Sequence, residues 1–253
     1  MLTHSIEHST RCGASWYRFL NSISLAFAQA WQLISHADDA LLQIVGLSLR
    51  VSLTAVFIAA LIGLPLGAAI AVARFPGRKA AIVLLNAMMG LPPVVVGLLI
   101  YLLLSRAGPL GDYGLLFTPA AMVIAQAVLI APIIAALSRQ IIEDAWAEYR
   151  EQLRSLGAKP LGAAITLLWD TRFSLLTAVL AGFGRAAAEV GAVMIVGGNI
   201  DGVTRVMTTS IALETSKGDL PLALGLGIVL IVLVLGLNAI AYISKEMAQR
   251  RYG

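Results

Sequence analysis

Charged residues are scarce in this sequence. Asp, Glu, Lys and Arg make up 13% of the 253 residues, whereas a typical soluble domain contains about 25%. Hydrophobic residues make up 59% of the chain, and its mean hydropathy is +0.87. A single core cannot bury this much apolar surface, so lipid must be the solvent for most of the chain. The composition therefore excludes a disordered protein, a fibrous protein and an ordinary cytosolic enzyme.

Cysteine and histidine are also scarce, and common catalytic motifs are missing. Cys12 is the only cysteine, which excludes a disulfide framework within the chain. His4, His8 and His36 lie near the N-terminus, so they support neither a long-range metal cluster nor a Ser–His dyad inside a span. No G-x-x-x-x-G-K-S/T or H-E-x-x-H sequence occurs, so the chain lacks these nucleotide and zinc sites. We therefore expect no catalytic residue, no metal site and no cofactor, and a channel or transporter is favoured over an intramembrane enzyme.

Long apolar runs dominate what is present. A helix crosses the hydrocarbon of a bilayer with about 20 apolar residues, and five runs reach that length: 51–73, 80–104, 118–138, 173–197 and 221–243. The first run extends toward Ile44 in one interpretation. Pro92 and Pro93 interrupt the second run, either as a tolerated kink or as a kink that shapes a pathway. The predicted fold class is all-α, a polytopic membrane protein with five core transmembrane helices.

The N-terminal segment, residues 1–40, is predicted separately. Residues 16–34 are apolar but include Asn21, Gln29 and Gln32, so we predict an amphipathic helix lying in the membrane interface. Two alternatives stay open: a sixth span, or a signal peptide cleaved after the sequence 28–30. The remainder is predicted to be one membrane domain over residues 41–245, with a long polar loop at 139–172 and a tail at 246–253.

Basic residues are distributed unequally between the two sides of the predicted bundle. Eleven lie on one side and six on the other, with Arg185 inside a span. By the positive-inside rule the richer side faces the cytoplasm, which places the N-terminus outside and the C-terminus in the cytoplasm. The charges thus set orientation, and we expect no nucleic-acid partner. The eleven residues are Arg74, Arg78, Lys79, Arg139, Arg150, Arg154, Lys159, Arg172, Lys245, Arg250 and Arg251.

The polar loop at 139–172 contains a pattern typical of a helical elbow. A charged helix is predicted to end at Gly157, which can adopt the left-handed geometry of a helix C′ residue. Lys159 and Pro160 then begin a second helix, because proline suits a helix start. An elbow that protrudes from a membrane domain is either a docking surface for a soluble partner or a solvated connector, and the residues alone leave both interpretations open.

The elbow resembles a known loop. The stretch from Glu151 to Gly157 is similar to the Glu-Ala-Ala-three-residues-Gly loop of ATP-binding-cassette importer permeases, with Gln152 and Leu153 in place of the two alanines. Further along, Trp169-Asp170 replaces the usual Leu-Pro. In that family the loop docks into an ATPase subunit and couples hydrolysis to transport. The residues that this resemblance implies for coupling are Glu148, Glu151, Gly157, Ala158, Lys159 and Pro160.

A longer resemblance covers most of residues 44–243. The segments 90–97, 105–111, 117–122, 182–192, 196–200 and 204–214 look like those of the tungstate-specific permeases of this superfamily. Molybdate and sulfate permeases share a shorter form of the 185–189 segment. The resemblance implies a type I importer fold that works by alternating access in the inner (plasma) membrane of a prokaryote. It also implies a homodimer, a separate ATPase subunit and an extracytoplasmic oxyanion-binding protein. Its implied cargo is a tetrahedral oxyanion, with tungstate ahead of molybdate or sulfate, and a self-sufficient anion channel is the rival class.

Arg185 and Glu189 are the candidate pathway residues inside a predicted span. Their spacing brings the two side chains together on one helix face, and a charged residue within a span usually faces the bundle interior or a wet cavity. The pair either only neutralises itself or draws the anion into the pathway. Asn199, Thr208 and Thr209 follow in the next loop and offer hydrogen-bond donors to an oxyanion, although loop residues of this kind are often only solvated.

The charge asymmetry generates a prediction about topology. A reporter fused after Lys79 or after Arg251 should report the cytoplasm, and one inserted near Gly111 or Thr204 should report the outside. Labelling of the 198–219 loop from the cytoplasmic side would contradict the orientation and the function inferred from it.

Overall fold

The computed structural model describes residues 39–252, together with Ser24, Leu25, Phe27, Ala28 and Trp31. These five residues are helical, but the prediction for residues 16–34 otherwise lies outside the described part of the chain. The described residues form helices and no strand, so the predicted all-α class is confirmed. In chain order the helices are α1 Asp39–Val72, α2 Arg78–Met88, α3 Pro93–Leu104, α4 Pro119–Ser155, α5 Pro160–Asp170, α6 Arg172–Ala187, α7 Gly191–Gly197, α8 Met207–Lys217 and α9 Leu220–Tyr252.

Three helices are long and apolar enough to cross a membrane without interruption. The apolar segments are Leu41–Val72 in α1, Pro119–Ser155 in α4 and Leu220–Met247 in α9. Two further helix pairs pass the same test together but are sharply bent, by 98° between α2 and α3 and by 77° between α5 and α6. The described chain therefore has three spans, or up to five if each bent pair is one span.

Two predicted spans are broken in the structure. The second divides at the two prolines, where Pro92 precedes α3 and Pro93 is its first residue, because proline cannot donate the backbone hydrogen bonds that would continue the helix. The fourth was predicted as one helix over 173–197, but α6 ends at Ala187 and α7 begins at Gly191. This second break contains no proline, so hydropathy alone did not indicate it.

Helices α1 and α4 pack closely at the centre of the fold. A Cβ atom added at Gly67 of α1 would lie 2.5 Å from the carbonyl oxygen of Ala135 on α4. The buried Ser138 hydroxyl of α4 donates a hydrogen bond of 3.3 Å to the carbonyl of Gly63. Small residues allow membrane helices to approach in this way, so α1 and α4 form the frame against which the other helices are positioned.

The short helix α7 is held in place by α3. A Cβ atom added at Gly97 of α3 would lie 2.7 Å from the Cα atom of Ala192. Ala192, Val193 and Val196 of α7 are buried in an apolar cluster that also contains Met122 of α4. Helix α7 is thus packed among apolar residues, and in the break before it Glu189 is buried, Val190 is half-buried and Ala188 is exposed.

Candidate translocation and coupling sites

Three side-chain hydrogen bonds support the break between α6 and α7. The Gln126 amide of α4 donates to the carbonyl of Ala186 at 3.2 Å, and the Thr208 hydroxyl of α8 donates to the carbonyl of Glu189 at 2.9 Å. The carboxylate of Glu189 accepts from the backbone N–H of Ala192 at 3.0 Å. Backbone groups at helix ends need such partners, and here they come from two other helices as well as from the break itself.

Arg185 and Glu189 form an ion pair across the break. Arg185 Nη1 lies 2.6 Å from Glu189 Oε2, with the arginine side chain 33% exposed and the glutamate side chain 3% exposed. The cation stands in the last turn of α6 and the carboxylate reaches the first turn of α7. Each charge therefore complements the dipole of the helix end beside it, and both oxygens of Glu189 have partners.

The position of Arg185 differs from the sequence-based expectation. Arg185 was expected inside an unbroken span over 173–197, but it lies in the last turn of α6. The two side chains meet because the chain still makes roughly helical turns through Ala188, whose N–H donates to the carbonyl of Gly184 at 3.2 Å. The pair consequently links the last turn of α6 to the start of α7 and does not lie on the face of one continuous helix.

Gln126 is a residue that the sequence analysis missed. It is buried on α4, and its Oε1 atom has no hydrogen-bond partner within the described residues. With Ser52 of α1 and Thr208 of α8 it lines a small cavity between five helices. The signal was present in the sequence: Gln126 is a lone amide in the apolar run 118–138, and polar residues inside a span usually have a specific partner or role.

The other three pathway candidates occupy different environments. Thr208 supports the break, as described above. Thr209 is buried, and its hydroxyl accepts a hydrogen bond of 3.0 Å from the backbone N–H of Val206 at the start of α8. Asn199 has a left-handed backbone with φ of 51°, and its Oδ1 atom is buried without a partner in the part of the chain that is described.

The helix–glycine–helix elbow is present at the predicted residues. Helix α4 ends at Ser155, and Gly157 follows with φ of +73°. The N–H of Gly157 donates to the carbonyl of Arg154 and the N–H of Ala158 donates to that of Leu153, both at 2.9 Å, which is the hydrogen-bond pattern of a Schellman motif. Pro160 then opens α5. Glu148, Glu151 and Lys159 are exposed around this turn, while Ala158 is half-buried.

Helix α5 has two apolar faces, of which only one is covered. Ala163, Ala164 and Leu167 are buried against the ends of α1 and α4. The opposite face exposes three large side chains, and we call it the α5 ridge: Leu161 is 74% exposed, Ile165 58% and Trp169 72%. Contiguous exposed apolar side chains mark a surface for contact with protein or membrane, so the α5 ridge is a candidate docking surface.

No metal centre is found among the residues that the structure describes. Within residues 39–252 no three His, Cys, Asp or Glu side chains come together as metal ligands would. The candidate sites are therefore built from an ion pair, backbone hydrogen bonds and apolar contacts.

A helical membrane chain with a broken, ion-paired span and an elbow that exposes an apolar ridge has features of the membrane subunit of a transporter. The chain belongs to the family of binding-protein-dependent transport system inner membrane components, whose family model matches residues 63–253. In this family ATP hydrolysis resides in a separate subunit. The chain is accordingly a multi-pass protein of the inner membrane.

Three curated relatives resemble this chain over most of its length. The tungstate uptake system permease protein TupB of Peptoclostridium acidaminophilum is 41% identical over 88% of this chain and 98% of its own. A probable anion ABC transporter permease of Haloferax volcanii is 38% identical over 84% of this chain and 94% of its own. The TupB protein of Campylobacter jejuni is 37% identical over 88% and 94%. Relatives named as sulfate and molybdenum permeases match less of the chain, 71% and 76% in two cases.

The geometry of the break predicts different effects for two substitutions of Glu189. Glu189→Leu removes the acceptor for the buried N–H of Ala192 and should lower the free energy of unfolding by about 1–3 kcal/mol. Glu189→Gln keeps an acceptor oxygen and should cost less. Thermal unfolding in detergent measures both, and the same two substitutions at Glu246, which forms an exposed pair with Arg250 at 2.7 Å, serve as controls. Equal melting temperatures for Glu189→Leu and the wild type would contradict the assignment of Glu189 as the residue that holds the break.

Proposed function

We propose that this chain is the translocation subunit of an ATP-driven importer for a tetrahedral oxyanion, with tungstate as its substrate. The observation that carries the proposal is the Arg185–Glu189 pair at a break in a membrane helix. An anionic cargo needs a cation on its way through the membrane, and charged residues within membrane segments mark ion pathways. The names of the relatives that are 41% and 37% identical support tungstate as the particular oxyanion.

In this proposal Arg185 attracts the dianion and Glu189 limits how tightly the anion is held. Translocation requires binding that is favourable enough for entry and weak enough for exit. The Arg185 side chain is partly exposed while the Glu189 side chain is buried, so the arginine is the accessible member of the pair. Asn199 and Thr208 remain candidate donors along the pathway, and Thr209 acts chiefly through its hydrogen bond at the start of α8.

The partners follow from the proposed orientation. The elbow end faces the cytoplasm, where the ATPase subunit docks on the α5 ridge and on the exposed residues Glu148, Glu151 and Lys159. The opposite end receives the oxyanion from an extracytoplasmic binding protein. The chain acts as a homodimer surrounded by membrane lipid, with its N-terminus outside and its C-terminus in the cytoplasm.

The coupling route that we propose runs from the elbow to the break. Helix α5 packs on the ends of α1 and α4. A single residue, Thr171, separates α5 from α6, which begins at Arg172. Movement of α5 by the ATPase therefore moves α6, whose last turn contains Arg185. Helix α4 provides a second connection, because it extends from Gln126 at the break to Ser155 at the elbow, about 44 Å at 1.5 Å per residue. Alternating access is then a rearrangement at the break driven from the elbow.

Uptake by the reconstituted complex tests the function and the role of Arg185 together. Vesicles that contain the chain, its ATPase and the binding protein should accumulate labelled tungstate in preference to molybdate and sulfate, and only with ATP. Arg185→Gln should abolish uptake without loss of the assembled complex, because the accessible cation is gone. Arg250→Gln removes the cation of an exposed ion pair in the tail and should transport normally.

The outcomes separate the alternatives. Preference for molybdate or sulfate would leave an importer and change its cargo. Uptake without ATPase would indicate a self-sufficient channel. Normal transport by a stable Arg185→Gln variant would remove Arg185 from the pathway and leave the ion pair with a structural role only.

A second prediction concerns coupling at Gly157. Gly157→Val forces a β-branched residue into a left-handed conformation, although nothing lies within 4 Å of the added Cβ, so the elbow should distort while the spans remain intact. We expect normal insertion but loss of ATP-driven uptake. Gly218→Val is a matched control, since Gly218 also follows a helix end with φ of +84° and open space, but at α8. If Gly157→Val transports as well as the control, the elbow does not couple the two subunits.

A further inference from the structure

A basic pocket lies at the elbow end and shares no lining residue with the break or with the α5 ridge. It has a volume of about 230 Å³ and is lined by the end of α1, the turn after it and one face of α4. Its charged and aromatic members are Arg74, Arg78, Glu143, Trp146 and Arg150, and we call this set the basic pocket. None of its residues belongs to the proposed pathway or to the proposed docking residues.

Arg78 holds the wall of the pocket in place. Its Nε atom donates to the carbonyl of Ile70 at 2.8 Å, and its Nη2 atom donates to the carbonyl of Ala71 at 3.3 Å and to Glu143 at 2.8 Å. The arginine thus satisfies carbonyl groups at the end of α1 and ties that end to α4. The guanidinium is fixed by these contacts before any ligand arrives.

The carboxylate of the basic pocket is already compensated. Glu143 pairs with Arg78 and also with Arg139, which is four residues earlier on α4. Arg74 and Arg150 are exposed and form no ion pair or hydrogen bond with any described residue. The basic pocket therefore contains two uncompensated cations beside a fixed third one, which is a site for an anion with several oxygens.

The surroundings of the basic pocket are those of a membrane interface. Trp146 forms part of its wall, and tryptophan is typical of the headgroup level of a bilayer. Phe75, next to Arg74 in the turn, is 42% exposed. Helix α2 starts at Arg78 and presents Val83 and Leu84 as exposed apolar side chains one turn further on. A ligand here would meet cations at one end and an apolar surface at the other.

We propose that the basic pocket binds the phosphate of an anionic phospholipid, with Arg74 and Arg150 as donors and with the acyl chains against α2. Basic pockets between membrane helices bind anionic headgroups in this way. A free oxyanion could bind the same arginines but would make no apolar contact with the exposed residues of α2. The observations therefore favour a lipid. The proposal goes beyond the transport function, because it does not depend on which anion is carried.

Native mass spectrometry of the assembled permease–ATPase complex tests the proposal without measuring transport. The complex is offered phosphatidylglycerol and phosphatidylcholine with matched acyl chains, and the retained lipids are counted by mass. The wild-type complex should retain phosphatidylglycerol preferentially. Arg74→Gln and Arg150→Gln should each reduce that preference about fivefold, the factor that one basic residue contributes to binding of anionic lipid.

The control removes equal charge elsewhere. Arg106→Gln and Arg250→Gln each replace one exposed arginine outside the basic pocket and should each retain the preference, as should the charge-preserving variants Arg74→Lys and Arg150→Lys. Arg74 and Arg150 are exposed and have no partner among the described residues, so their single substitutions should leave the fold intact.

Four results would overturn the proposal. The first is equal retention of both lipids by the wild type, and the second is an equal loss in the control variant. The third is replacement of bound phosphatidylglycerol by inorganic phosphate, which would assign the site to a free oxyanion. Retention of phosphatidylglycerol only when the ATPase is absent would also overturn it, because the partner would then cover the pocket. The effect of Arg185→Gln on tungstate uptake is independent of these lipid-retention results. The lipid proposal and the transport proposal can therefore be refuted separately.

Discussion

The candidate translocation site depends on the carboxylate of Glu189. One of its oxygens accepts from the N–H of Ala192, and the other pairs with Arg185. A helix that stops among apolar neighbours leaves backbone groups unsatisfied at a cost of several kcal/mol each. Glu189 reduces this cost at the start of α7 and also neutralises the cation at the end of α6. The buried charge of Glu189 is tolerated because its carboxylate satisfies the backbone N–H of Ala192 and is paired with Arg185.

The break belongs to the whole bundle rather than to α6 and α7 alone. Gln126 of α4 donates to a carbonyl at the end of α6, and Thr208 of α8 donates to one within the break. Helix α3 packs against α7 at Gly97. Any rearrangement of the break therefore changes contacts with three other helices. Because each net hydrogen bond contributes about 0.5–1.5 kcal/mol, the rearrangement of the break lies within the range that binding of a ligand or a partner can drive.

The sequence predicted those features that are local. The apolar runs indicated where helices lie, Pro92 and Pro93 indicated the break between α2 and α3, and Gly157 with Pro160 indicated the elbow. The break after Ala187 was not predicted, because its partners Gln126 and Thr208 come from distant positions and no proline marks it. The same limit explains the position of Arg185: the spacing to Glu189 predicted their contact, but the contact turned out to join two helices. The roles of the pathway and coupling residues stay predictions until they are tested.

The arrangement explains why one chain can have both a stable fold and a site that must change. In the proposed mechanism, Arg185 without a partner would be a costly uncompensated charge in a membrane segment. A partner fixed on a rigid helix would instead hold the arginine too firmly for the anion to replace it. Glu189 instead sits in the three-residue connection between α6 and α7, where the backbone is not constrained by a continuous helix. A shift of α6 transmitted from α5 can therefore lengthen the distance between Arg185 and Glu189 while the bond from Ala192 keeps the carboxylate in place. In the proposed mechanism, movement of α6 separates Arg185 from Glu189 so that the arginine can bind the anion. Glu189 keeps its position, and the ion pair forms again when the anion leaves.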